Sequence, residues 1–153
     1  GIADALRMAQ SFVGSDKCVV ILGDNIIADD ISVPVREFDA IGGACIFTKR
    51  VSDPERFGVV EWDEKHWPKD LLEKPDEPPS NDAIIGLYMY DNTVFDRIDA
   101  LTPSDRGELE VTDLNRSYLM DGKLTVHTIH GTWMDCGTFD SLALATKTFY
   151  EDE

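Results

Sequence analysis

Apolar and polar residues change period repeatedly along this chain. Ile2, Ala5, Leu6, Ala9, Phe12 and Val13 recur at helical spacing, and Gly14 is a plausible stop. Cys18-Val19-Val20-Ile21-Leu22 is then a continuous apolar run ending at Gly23. It is short and rich in branched residues, which predicts a strand buried on both faces and hence a sheet covered by helices. A polar turn follows, with Asp24 at the carboxyl end of the strand, where ligands of open α/β sheets gather. Residues 35–41 read as a second helix ending at Gly42-Gly43, and 44–47 repeat the buried-strand signature. Asp53-Pro54-Glu55 marks a turn; residues 57–62 and 71–73 read as strands. Pro75, Pro78 and Pro79 make an irregular crossing before a strand over 83–90. Gly86 in its middle predicts either a bulge, a close approach by a ligand or neighbouring backbone, or simple packing.

Val94, Ile98 and Leu101 support a short helix. Thr112 is placed to cap a helix over 114–120, with Asp113 at its positive end and Gly122 closing it. Residues 124–129 alternate like a strand. Thr138 is placed to cap a last helix carrying Leu142, Ala145 and Phe149 on one face. Strands alternating with helices predict one α/β domain over residues 1–153, and the strand-rich stretch 57–90 predicts a mixed sheet. No internal repeat or low-complexity stretch interrupts it.

Composition narrows the partners. A formal net charge of -16 argues against nucleic acid or an anionic membrane, although most such acidity serves solubility. Cys18, Cys45 and Cys136 are odd in number and far apart, with no metal-binding spacing, which fits a reducing cytoplasm. No apolar run is long enough to span a bilayer. The chain begins at Gly1 inside a helical pattern, which predicts that more protein lies upstream.

Four short motifs carry the candidate chemistry: LGDN (Leu22 to Asn25), FGVVE (Phe57 to Glu61), EKP (Glu73 to Pro75) and WMDCGT (Trp133 to Thr138). Asp24 and Asp135 each follow an apolar stretch beside a glycine. Together they suit a magnesium ion, which takes one or two carboxylates plus phosphate oxygens and water. Each aspartate alone could equally cap a turn. Lys74 suits a phosphate and Glu73 a set of sugar hydroxyls, but the two could also form an exposed ion pair. Pro75 restricts Lys74 to extended backbone, so Glu73 and Lys74 are expected on opposite sides unless a bulge intervenes. Gly58 offers an N–H to a sugar or serves a turn. Glu108 and Glu110 read as solvated or structural, and His66, His127 and His130 show no partner spacing. Trp133 could shelve a sugar ring, whereas Trp62, Trp67 and the tyrosines read as core or edge residues.

In order and spacing these segments resemble the sugar-1-phosphate nucleotidyltransferase family, in particular members that transfer a thymidylyl group to glucose 1-phosphate. The resemblance runs nearly end to end, through GIADAL, LGDN, DPERFGVVEWD, EKP, SNDAIIGLYMYD, GELEVTDLNRSYL and WMDCGT. It implies a Rossmann-like layered fold of the nucleotide-diphospho-sugar transferase type with a mixed, mainly parallel central sheet. It implies a nucleoside triphosphate (dTTP) and a sugar 1-phosphate as partners, pyrophosphate as product, and a possible homo-oligomer. It assigns magnesium (Mg2+) to Asp24 and Asp135, the sugar phosphate to Lys74 and the sugar hydroxyls to Glu73. Gly58 and the backbone around Ile84 and Ile85 line the sugar pocket, Tyr88 and Trp133 flank it, and Ala3, Leu22 and Gly23 lie near the nucleoside.

Two departures qualify the resemblance. The family's glycine-rich triphosphate loop does not occur in these residues, so the chain reads as the later part of a catalytic domain with little turnover of its own. Asp4 stands where the thymidylyl pattern has glutamine; an ionised carboxylate accepts hydrogen bonds only, which leaves the base open. A non-catalytic sugar-phosphate or nucleotide-binding module remains an alternative. So, less favourably, does a metal-dependent glycosyltransferase, for which Asp29-Asp30 would have to supply the missing carboxylate.

Overall fold

In a computed structural model, which describes residues 1–150, the chain folds as three layers around one sheet. The elements are α1 (Ile2–Met8), α2 (Gln10–Val13), β1 (Cys18–Ile21), β2 (Asn25–Ala28), α3 (Ser32–Ile41), β3 (Ala44–Arg50), a 3-10 turn (Pro54–Arg56), β4 (Gly58–Trp62), β5 (Pro68–Glu73), β6 (Asp82–Tyr90), α4 (Val94–Asp99), α5 (Val111–Met120), β7 (Leu124–Thr128), β8 (Thr132–Asp135) and α6 (Phe139–Tyr150). The main sheet runs β5-β4-β6-β3-β7, with β1 also paired to β6; β2 and β8 form a separate two-stranded ribbon.

The sheet is mixed, as the pattern predicts. Its pairing is not mainly parallel, however: β3–β7 is a parallel ladder, while β1–β6, β3–β6, β4–β6 and β4–β5 are antiparallel. The cause is β6, which runs in the centre against β1, β3 and β4. A strand buried on both faces has the same apolar composition in either direction, so composition alone does not reveal this.

Alternation along β6 separates the core. Ile84, Tyr88 and Tyr90 pack with α1, α4 and α5 through Leu6, Phe95, Ile98, Leu114 and Tyr118. Ile85, Leu87 and Met89 pack on the other face with Phe38 of α3, Cys45, Phe47 and Ile129. Burial pushes the Cys45 thiol up to about 12, with Glu37 adding to the shift, so it stays protonated and inert.

Several local expectations change in three dimensions. The first helix breaks at Ala9 into α1 and α2, and Phe12 on the second piece is 91% exposed. β1 is less covered on one face: Val19 and Ile21 are exposed, while Cys18, Val20 and Leu22 pack against the core on the other side. Cys18 is only half-buried. Thr112 does not cap α5; the helix starts at Val111, and the Thr112 hydroxyl is engaged elsewhere. Thr138 does cap α6, accepting from the Ser141 N–H at 3.1 Å, but of Leu142, Ala145 and Phe149 only Ala145 is buried. No helix among the described residues is long and apolar enough to cross a membrane.

Candidate functional site

A cleft of about 550 Å³ opens where β1 ends, between the start of β4, the end of β5, the middle of β6 and the β2–β8 ribbon. That volume suits a small-molecule ligand. Leu22, Asp24 and Asn25 line it from the β1–β2 turn, Gly58 from β4, Glu73 and Lys74 from the end of β5, Ile84, Gly86 and Tyr88 from β6, and Trp133 and Asp135 from β8. Four motifs scattered over more than a hundred residues thus face one space.

Asp24 and Asp135 converge because β2 and β8 pair antiparallel with Asn25 opposite Asp135. The Cys136 N–H donates to the Asp24 carbonyl at 2.7 Å, which ties the two turns together. Both carboxylates close on one point: a Cβ built on Gly137 would stand 3.2 Å from Asp135 Oδ1 and 3.4 Å from Asp24 Oδ2. Two carboxylates on one side of an open cleft fit magnesium, which keeps several waters and takes its other ligands from phosphate. They do not form a closed cage; among the described residues no group of three or more His, Cys, Asp or Glu gathers for that purpose.

Asn25 joins the motifs. Its Oδ1 accepts from the Gly86 N–H at 3.0 Å and from Trp133 Nε1 at 2.7 Å, while its Nδ2 donates to Asp24 Oδ1 at 2.9 Å. One amide therefore orients a carboxylate, seats an aromatic shelf and binds the irregular centre of β6. There the β3–β6 register shifts between Ile46 and Thr48. Two of the readings open for Gly86 are observed together: the β6 strand is irregular around it, and neighbours approach it closely, although they are the side chains of Asn25 and Leu22 and not ligand or backbone.

Glu73 and Lys74 line the same cleft, not opposite sides. Lys74 adopts a positive φ of 42°, outside the extended region expected before Pro75. This left-handed turn at the strand end swings the lysine round beside the glutamate. Such a conformation in a non-glycine residue is costly and tends to mark functional sites. Glu73 Oε2 accepts from the Thr112 hydroxyl, and a side chain at Gly58 would stand 2.9 Å from that hydroxyl and 3.3 Å from the carboxylate. Glycine is therefore required for β4 to lie so close to the Glu73–Thr112 pair.

Behind Glu73 stands a network that motif reading missed. Arg106 Nη2 reaches Glu73 Oε1 at 3.3 Å and Glu110 Oε2 at 2.9 Å, and Ser104 Oγ donates to Glu110 Oε1 at 2.7 Å. Glu110 is structural, as expected, but buried; the expectation of solvation holds only for Glu108, which is exposed. Burial alone would raise the Glu110 carboxyl. Hydrogen bonds from Ser104 and Arg106, with the charges of Arg106 and Lys74, outweigh it and hold the group below its ordinary range. A depressed carboxylate contributes stability above its unfolded value of roughly 4.3 and loses it as pH falls through the folded value. Glu110→Gln should therefore be less stable than the parent near neutrality, and the gap should narrow below about pH 4. Urea titrations across that range, read by circular dichroism, check this.

The remaining residues fall in other places. Tyr88 flanks the cleft but is 3% exposed, and burial, with Glu73 and Asp24 adding to it, raises its hydroxyl well above the ordinary tyrosine value. Ile85 turns its side chain to the opposite face, since it neighbours Ile84 in a strand. Ala3 is buried in the α1 core, and Gly23 has no atom within 4 Å of where a Cβ would lie; neither lines the cleft. Asp29 accepts from the His130 and Gly131 N–H groups at 2.8 Å, and Asp30 Oδ1 accepts from Ser32 N at 2.8 Å, so this pair caps turns. His66 stacks on Trp62 at 4.4 Å, and Trp67 is exposed. Asp4 pairs with Arg7 one helical turn away. Asn25 was readable as a polar neighbour of Asp24, but nothing in the sequence signalled its links to Gly86 and Trp133.

A family model described as nucleotidyl transferase matches residues 1–152. The chain is 41% identical to the low-salt glycan biosynthesis nucleotidyltransferase Agl11 of Haloferax volcanii, over 100% of this chain and 43% of that protein. It is 43% identical to the glucose-1-phosphate thymidylyltransferase of Neisseria gonorrhoeae, over 93% of this chain and 51% of that one. It spans about half the length of these curated relatives. A Bacillus anthracis crystal structure described as a glucose-1-phosphate thymidylyltransferase, in complex with sucrose, superposes with a TM-score of 0.89 at 48% identity, covering 97% of this chain and 60% of that one. A UDP-glucose pyrophosphorylase complexed with UDP-glucose superposes with a TM-score of 0.86 at 23% identity, covering 100% of this chain and 63% of the other, which shows the shared fold.

Proposed function

Because the chain belongs to the nucleotidyl transferase family, we propose that it carries the metal-binding and sugar-phosphate portion of a sugar-1-phosphate nucleotidyltransferase. In this reading the enzyme joins the thymidylyl group of dTTP to glucose 1-phosphate and releases pyrophosphate; the names of the N. gonorrhoeae and B. anthracis relatives favour this donor and acceptor. One observation carries it: the Asp24 and Asp135 carboxylates converge at a cleft that also holds Glu73, Lys74 and Gly58.

The reaction needs an oxygen of the sugar phosphate held in line with the α-phosphorus of the triphosphate. The P–O bond to pyrophosphate breaks as the new P–O bond forms, so catalysis is chiefly positioning and charge neutralisation. Lys74 holds the sugar phosphate as a compact charge. Glu73, fixed by Thr112 and Arg106, accepts hydrogen bonds from sugar hydroxyls. The Gly58 backbone approaches the ring, and Trp133, held by Asn25, gives it an aromatic wall. Magnesium at Asp24 and Asp135 would supply a clamp across the phosphates and neutralise charge developing on the leaving group. Asp29 and Asp30, committed to turn caps, do not support the glycosyltransferase alternative. Small phosphorylated substrates and free cysteines suit a cytoplasmic enzyme without nucleic-acid or membrane partners.

The test is a panel of nucleoside triphosphates against sugar phosphates, with and without magnesium. It is run on the intact gene product and on residues 1–153, reading pyrophosphate release and, by calorimetry, ligand binding. Magnesium-dependent pyrophosphate release from dTTP and glucose 1-phosphate by the intact product is expected, with little turnover by residues 1–153. Glucose 1-phosphate binding with no turnover by the intact product favours a binding module. Transfer of sugar from a preformed nucleotide sugar sinks the proposal.

A further inference from the structure

Lys49, on β3, gives its ammonium to backbone and not to acid. Its Nζ donates to the carbonyls of Ile129, His130 and Gly131 at 3.3, 3.1 and 2.7 Å. An ammonium has three N–H groups, and three successive carbonyls take them all. The chain carries 30 acidic side chains, yet among the described residues none forms an ion pair with this lysine. The three carbonyls belong to the turn that leads from β7, in the main sheet, to β8, in the ribbon. β3 holds the same turn through its backbone as well, since the Ile129 N–H donates to the Thr48 carbonyl at 2.8 Å. Asp29, directly after β2, accepts from the N–H groups of His130 and Gly131, a role that an amide oxygen also fills. Gly131 lies so close to the end of β2 that a Cβ there would stand 2.1 Å from the Ala28 carbonyl oxygen.

The position of this turn decides what happens at the other end of the ribbon. β2 and β8 pair from Ala28–Thr132 beside the turn to Asn25–Asp135 at the metal end. At about 3.3 Å per residue, Asp135 lies about 10 Å along β8 from Thr132, and Lys49 itself does not line the cleft. A two-stranded ribbon this short is marginal alone, and its register is weakly specified without outside help. β2 has its own ties to the main sheet: the Leu22 N–H donates to the Gly86 carbonyl at 2.8 Å, and Asn25 Oδ1 accepts from the Gly86 N–H. β8 receives a separate tie from β3, through the turn that Lys49 holds. We propose that Lys49 is a positioning residue for the metal site: by binding three carbonyls of the β7–β8 turn it keeps β8 in register with β2, and so sets the separation of the Asp24 and Asp135 carboxylates. This rests on the reading of those two aspartates as metal ligands.

Titration of the chain with Mn2+ as a paramagnetic probe, read by electron paramagnetic resonance, tests it on the parent, Lys49→Met, Lys49→Arg and Ile98→Val. Urea unfolding of each variant gives its stability alongside. Lys49→Met should lower Mn2+ affinity about tenfold in protein that is still folded, the scale of losing a group that orients a ligand. Lys49→Arg, which keeps N–H donors and charge, should recover most of that loss. Ile98→Val thins the buried core under α4 and leaves the ribbon alone, so it should lose stability and keep the parental affinity. If Lys49→Met does not fold, Lys49→Gln, which drops the charge and one donor, is read in its place by the same standard. Parental affinity in Lys49→Met overturns the inference and leaves the metal reading intact. An equal loss in Lys49→Arg overturns it too, since donation to the carbonyls would not be what matters. A loss in Ile98→Val as large as that in Lys49→Met also overturns it, because affinity would then only follow stability. No Mn2+ binding by the parent overturns the metal reading and the inference with it.

Discussion

Asp135→Asn should lower the affinity of the chain for Mn2+, a spectroscopic stand-in for magnesium, by at least about a hundredfold, because removing a ligand costs more than removing one of its supports. The substitution changes charge and little else. The asparagine carbonyl can still accept from the Gly137 N–H, as Asp135 Oδ1 does at 3.1 Å. Asp24→Asn should have a similar effect, and the double variant should be scarcely worse than either, since two groups sharing one ion are strongly coupled. Asp29→Asn is the control: that carboxylate binds backbone N–H groups of the turn at residues 130–131 and lies outside the cleft. Electron paramagnetic resonance of free Mn2+ reads the result without any turnover. Parental affinity in a folded Asp135→Asn variant would remove the metal from the proposed site.

Gly86→Ala should destabilise the fold by about 3 kcal/mol, two effects adding. A Cβ there would stand 2.7 and 2.8 Å from Asn25 Nδ2 and Cγ and 2.8 Å from Leu22 Cδ1, and overfilling a packed site costs roughly 1–3 kcal/mol. Asn25 can yield only by leaving the Gly86 N–H and Trp133 Nε1 without their acceptor, and an unpaired, part-buried donor costs roughly 1–3 kcal/mol. At roughly 2–4 °C per kcal/mol for a chain of this size, the melting temperature should fall by about 10 °C. Tryptophan fluorescence should change as well, because Trp133 loses its hydrogen bond. Gly23→Ala, with no atom within 4 Å, should melt with the parent. Equal melting temperatures for the Gly86 and Gly23 variants would mean that Asn25 does not join the motifs as described.

Much of this architecture is legible before folding. Branched apolar runs at residues 44–47 and 83–90 announce buried strands, and β3 and β6 are the most fully buried strands of the sheet. Gly86, in the middle of such a run, announces a bulge, a close approach or a packing glycine, and the first two are found. Asp24 after one apolar run and Asp135 after another suggest carboxylates at strand ends. What could not be seen is who approaches whom. β1 looks buried on both faces because its residues are all apolar, but Val19 and Ile21 stay more than half exposed although they lie opposite Met89 and Leu87 of β6. Pro75 biases Lys74 to extended backbone, but the surroundings hold it left-handed. Thr112 looks like a cap because hydroxyls before helices commonly are; here the Glu73 carboxylate, 39 residues away, takes the hydroxyl instead.

The division follows from the range of the forces involved. Element type and buried face depend on side-chain periods of two and 3.6, which any short window of sequence contains. Partner, strand direction and register depend on loop closure and on packing between distant segments, and no local period records them. The β2–β8 ribbon is the sharpest case. It sets Asn25 opposite Asp135 across more than a hundred residues, and with that single register it brings two carboxylates to one point. A slip of one residue would turn Asp135 to the opposite face of the ribbon and leave Asp24 without its counterpart.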